Sequence, residues 1–87
     1  MILNSSSPPI FAFTDIELSV LRLIASGSTN LEISLHLGYS KKYVNKLISQ
    51  MYSKYNCRNR AHLTSFFLNS LFSEFVSSSF SQLHLNL

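Results

Sequence analysis

The chain has 87 residues, 46% of them hydrophobic and 13% charged, with a formal net charge of +3. That length holds one small domain, and a hydrophobic fraction this high excludes an intrinsically disordered chain. One cysteine, Cys57, excludes an internal disulfide framework and suits a reducing compartment, and no apolar run approaches the roughly eighteen residues of a membrane span.

The charge is modest in total and uneven in placement. Lys41, Lys42, Lys46, Lys54, Arg58 and Arg60 all lie between positions 41 and 60, while no Asp or Glu occurs from Ile33 to Ser73. The window 41–60 therefore carries +6 and the remainder −3. A local basic block on a slightly acidic chain points to a polyanion, most commonly nucleic acid.

Residues 1–12 read as an N-terminal arm, because Pro8 and Pro9 forbid helix there and a polar Asn4–Pro9 stretch without Lys or Arg is no signal peptide. Ile10, Phe11 and Phe13 are expected to fold back on the core. Thr14 and Glu17 have the spacing of a capping box and open the first helix. Ile16, Val20, Leu21 and Ile24 give it an apolar face, and Gly27 closes it. A second box, Thr29 and Glu32, opens a short helix with Ile33, Leu35 and Leu37 on its buried side and Gly38 as its stop.

Ser40 is the expected N-cap of a third helix over 40–55. Val44, Leu47, Ile48, Met51 and Tyr55 form its core stripe, and Lys42, Asn45, Lys46, Ser49 and Ser53 lie on the opposite face. After a turn over Asn56–Asn59, a fourth helix over 60–75 carries Leu63, Phe66, Phe67, Leu71 and Phe75 as its apolar side. The Ser-rich tail, 77–87, is expected to fray. The fold class is all-α, with four helices and one domain over 13–76.

Helix, glycine turn, helix, with a basic polar face on the second, is the helix-turn-helix plan. Ser34 is small enough for a close helix crossing, and Gly38 takes the left-handed turn that a Cβ would strain. At this point the stretch Phe13–Leu68 resembles the LuxR-type helix-turn-helix domain, the four-helix output module of many bacterial response regulators and quorum sensors. Thr14, Glu17, Val20, Leu21, Leu23, Ile24 and Gly27 fit its opening helix. Asn30, Glu32, Ile33, Leu37, Ser40 and Val44 fit the turn, and Lys54 and Arg60 its end. The chain departs from the pattern at Ile16, Tyr43, Asn45 and Leu47, where the family usually has Arg, Thr, Lys and His. Lys46 stands beside the position that has lost its basic residue.

The resemblance implies that Asn45, Lys46 and Ser49 read base edges, Asn suiting adenine and Lys suiting guanine. Ser40, Lys41, Lys42, Tyr43, Lys54 and Arg60 read as phosphate contacts, with bracing of the turn an open alternative for Arg60. Phe67, Leu71 and Phe75 read as a dimer interface, since the phenylalanine-rich helix exceeds what three short helices can cover. His36, His62 and His84 share no metal-ligand spacing, and no serine sits in a nucleophile motif, so neither a metal, a cofactor nor an enzyme is implied.

The expectation is therefore a stand-alone, cytoplasmic, bacterial transcription regulator. Its expected partners are double-stranded DNA, a second copy of itself, and another transcription regulator or RNA polymerase, without a membrane. A protein-binding adaptor, capturing another regulator through the hydrophobic last helix, is the alternative.

Overall fold

A computed structural model describes the backbone of residues 12–85 and the side chains of residues 12–76. The arm, with Ile10 and Phe11, thus lies outside the described residues up to Ala12. The described residues form four helices, α1 (Asp15–Ala25), α2 (Asn30–Leu37), α3 (Lys41–Lys54) and α4 (Arg60–Leu85), joined by connections short enough to keep successive helices in contact.

The caps expected from sequence are in place. Glu17 N donates to Thr14 Oγ1 at 3.2 Å while Thr14 N donates to Glu17 Oε1 at 2.9 Å. The same reciprocal pair joins Thr29 and Glu32 at 2.8 and 3.1 Å. Each box satisfies two N–H groups that a helix start would otherwise leave orphaned. Ser40 caps α3 by accepting from Tyr43 N at 3.0 Å. At α4 the cap is Asn59, whose Oδ1 accepts from His62 N at 2.8 Å, while His62 Nδ1 accepts from Arg58 N at 3.0 Å. Imidazole here reaches back as Glu does in the other two boxes, but to the N–H of Arg58, one residue before the cap.

Three helix ends share one chemistry. Gly27, Gly38 and Asn56 have φ of 94°, 78° and 56°, and the residue after each donates back across the last turn: Ser28 N to Leu23 O, Tyr39 N to Ser34 O, and Cys57 N to Tyr52 O at 2.8–3.0 Å. Left-handed residues at these points reverse the chain while satisfying carbonyls that have no helical partner.

The core is made by Phe13, Val20, Leu21, Ile24, Ile33, Val44, Ile48, Met51, Cys57, Leu63 and Phe67. Phe13 does fold back: its ring meets Tyr55, Phe66 and Phe67 edge-on at 5.1, 6.1 and 5.9 Å between centroids. Such edge contacts add to the area buried by the rings. Among the described residues, every buried side-chain nitrogen and oxygen has a partner.

Three expectations are corrected. Leu35 is 74% exposed rather than buried, because it lies two positions beyond Ile33, about 200° around the helix. Phe67 is 1% exposed and lies in the core, so it has no surface to offer a second copy. The helix expected to end near residue 75 runs on to Leu85.

A Cβ built on Gly38 meets nothing within 4 Å, so the cost of Gly38→Ala is purely conformational. Urea unfolding should show a loss of roughly 1–2 kcal/mol, and Gly38→Asn, which tolerates the left-handed region, should lose less.

Candidate nucleic-acid interface

α3 is seated by its apolar stripe. Val44, Ile48 and Met51 are at most 2% exposed, and that burial turns the opposite side outward. Lys42, Asn45, Lys46, Ser49, Gln50 and Ser53 are all exposed there. Gln50, one turn beyond Lys46, belongs to this face by the same spacing, although sequence reading passed over it. α2 lies across the inner side of α3, with Ile33 and Ser34 buried at the crossing. The Ser34 hydroxyl donates to Leu31 O at 2.7 Å, so a small polar side chain is buried without loss of a hydrogen bond.

The N-terminal end of α3 concentrates positive charge. Lys41 and Lys42 sit in a first turn without acidic residues, where the helix dipole already presents its positive end. Tyr43 lies beside Tyr39, rings 5.0 Å apart and tilted by 57°. Both rings are about two-fifths exposed, so they form an aromatic shoulder next to the two lysines.

Two residues expected on phosphate have partners inside the domain. Lys54 stands at the far end of α3, roughly 20 Å along the axis from Lys41, and its Nζ is 3.0 Å from Glu17 Oε2. Arg60 donates through one guanidinium nitrogen to Asn30 Oδ1 at 2.7 Å, and through the other to the carbonyl of Ser28. Asn30 in turn donates from Nδ2 to Asn45 Oδ1 at 2.7 Å. Asn30 therefore joins the start of α4 to the outer face of α3. Sequence reading placed it only in the turn, since its partners lie 15 and 30 positions away.

The acidic counterpart is Glu17, 8% exposed. Besides its cap it accepts from Tyr55 Oη at 2.6 Å and from Lys54 at 3.0 Å. Burial alone would push this carboxyl up, but hydrogen bonds from Tyr55, the Thr14 backbone and Lys54, together with the Lys54 charge, hold it below its ordinary 4.5. Burial, then the neighbouring carboxylate, push the Tyr55 hydroxyl well up, so it remains a donor. Burial also raises the Cys57 thiol, which makes it an inert core residue. Among the described residues no cluster suits a metal ion, and no helix is long and apolar enough to cross a membrane.

Two helices set across each other by a glycine turn, the second with its donor-rich face outward, make a helix-turn-helix protein. The model of the family described as "Bacterial regulatory proteins, luxR family" matches residues 12–67, and the chain belongs to that family, which is one of regulators rather than enzymes. It is 38% identical over 58 residues to the protein named "Probable transcriptional regulator ycf29" of Cyanophora paradoxa, covering 67% of this chain and 28% of the relative. It is 38% identical over 66 residues to the protein of the same name from Porphyra purpurea, covering 72% and 32%. The chain thus spans under a third of the length of these curated relatives. No solved structure matches it.

The Glu17 cluster makes the fold acid-sensitive. A carboxyl lowered by folding contributes stability that is present above its unfolded value and lost as pH falls through the folded one. Glu17→Gln should cost roughly 1–3 kcal/mol at pH 7, and the gap to the unaltered chain should close as pH drops below about 4.5. Urea midpoints at pH 7 and pH 3 measure it, and a gap that stays constant rules the cluster out as the acid-labile element.

Proposed function

We propose that this chain is a sequence-specific DNA-binding transcription regulator that inserts α3 into the major groove. The observation that carries the reading is the outer face of α3: donors and lysines along its length, no acid beside them, and a hydrophobic seat that fixes its direction. Asn45, Lys46 and Ser49 face the base edges, while Ser40, Lys41, Lys42 and Tyr43 hold phosphates at the N-terminal end. The name that both relatives carry, "Probable transcriptional regulator", supports the same role.

Pairing of two copies through α4 completes the reading. Leu68, Leu71, Phe72 and Phe75 are 46%, 40%, 66% and 67% exposed, and their i, i+3, i+4, i+7 spacing makes one apolar stripe. This stripe is distinct from the buried one, with Leu68 taking the place that Phe67 was expected to hold. A two-fold pair would bury the same patch on both copies and set two α3 helices on half-sites about one helical turn apart. The stripe also favours a second reading, an adaptor that captures a different regulator there.

Selection from a random duplex pool should enrich one motif with two half-sites. A stable complex with another regulator and no enriched motif would support the adaptor instead. With Lys41 and Lys42 neutralising about two phosphates per protomer, a dimer gives log K a slope near −3.6 against log salt, and salt-insensitive binding would sink the electrostatic part. Lys46→Ala should narrow the ratio of specific to random binding by about 1–3 kcal/mol. Phe72→Ser with Phe75→Ser should leave a folded monomer by sedimentation that still binds a single half-site. A dimer that persists would place pairing elsewhere.

A further inference from the structure

The chain Arg60–Asn30–Asn45 fixes more than position. Arginine has no acceptor, so the Asn30 atom facing it at 2.7 Å is the carbonyl oxygen Oδ1. That leaves Asn30 Nδ2, a pure donor, facing Asn45 at 2.7 Å, and Asn45 must answer with its own Oδ1. The amide of Asn45 is thereby oriented from inside the domain, with its Nδ2 as the end left for solvent or a ligand. Arg60 is itself anchored, partly buried and donating also to Ser28 O. The charged first link makes the relay stronger than an exposed pair of amides alone.

We propose that Asn30, clamped by Arg60, is a specificity-determining residue that holds Asn45 with its NH2 outward, so that position 45 selects guanine. The proposal rests on the reading of α3 as the recognition helix. In the major groove guanine presents two acceptors side by side, N7 and O6, whereas adenine presents the N7 acceptor beside the N6 donor. An outward NH2 satisfies both groups of guanine and meets a donor on adenine. The adenine pairing usual for asparagine needs Oδ1 aimed at the groove, whereas the hydrogen bond from Asn30 turns it inward. Asn30 touches no base in this scheme and acts as a positioning residue through Asn45.

Asn30→Asp tests the relay by inversion. Aspartate still accepts from Arg60, and its second oxygen can only accept, so Asn45 must turn its Nδ2 inward and offer Oδ1 to the groove. Position 30 is the first residue of α2, where a carboxylate suits the helix dipole and the fold is kept. The added negative charge weakens binding to every duplex, so the readout is the base ratio at one position. Selection from a random pool with the full chain should show guanine at one base pair per half-site, and Asn45→Ala should erase the preference at that pair alone. Asn30→Asp should shift the ratio of guanine to adenine or cytosine there by about tenfold.

NMR of the side-chain amides in the unbound chain reads the relay without DNA: the Asn30 NH2 should carry the hydrogen-bond signature in the unaltered chain, and the Asn45 NH2 in Asn30→Asp. Unchanged guanine preference in Asn30→Asp, or an Asn45 amide signal that does not respond, overturns the proposal. If the amide signals switch as expected but no duplex is ever enriched, the recognition-helix reading fails, and the relay is a structural brace without a specificity role.

Discussion

One buried carboxylate ties the start of α1 to the end of α3. Glu17 caps the first turn of α1 and at the same time receives Tyr55 and Lys54 from the end of α3. A lone buried carboxylate would be costly, and here three donors from two elements converge on it. The direction of α3 is thereby fixed at its C-terminal end by this cluster, and at its N-terminal end by the Gly38 turn and the crossing over Ser34. A helix held at both ends and along its apolar stripe presents its outer face as a rigid surface. A recognition surface needs that rigidity, because side chains must meet a groove at set positions.

The basic residues divide between two kinds of work. Lys41, Lys42 and Lys46 point away from the body of the domain, on or near the first turns of α3, whereas Lys54 and Arg60 hold the helices to one another. The +6 window of the sequence is therefore a mixture of a free electropositive edge and internal fasteners. Charge density along the chain cannot distinguish them, since both kinds of residue are exposed at least in part and both are long. Partner geometry makes the distinction: a carboxylate 37 positions away for Lys54, and a carbonyl and an amide 30 to 32 positions away for Arg60.

Features governed by near neighbours were legible in the sequence. Thr14 with Glu17, Thr29 with Glu32, and Ser40 announced their helices because a cap involves residues three apart. The glycine turn and the inner and outer faces of α3 followed from the helical period. One failure was local and the others had a tertiary cause. Leu35 carries the right residue type on the wrong side of a short helix, which the period alone would have shown. Phe67 and Leu68 lie on adjacent stripes of α4, and only packing against α1 decides which stripe is covered. The serines near the tail have weak helical preference, yet α4 continues to Leu85. Asn30 was visible as a turn residue and illegible as a link, because nothing local marks a partner 15 positions away on another helix.

The left-handed turns carry a kinetic consequence. Gly27, Gly38 and Asn56 let each helix fold back on its neighbour after three to five intervening residues, so most packing needs only short loops to close. Chains of this kind have low contact order and fold in the microsecond to millisecond range. The contacts with the largest loops to close are those of Phe13 with Phe66 and Phe67, 53 and 54 positions apart, followed by the polar ties of Arg60 and Glu17, which span 30 to 38. Loop entropy makes these long-range contacts the costliest to form, and the polar ones among them set the final posture of α3. Rapid docking of successive helices and exact placement of α3 are thus assigned to different interactions.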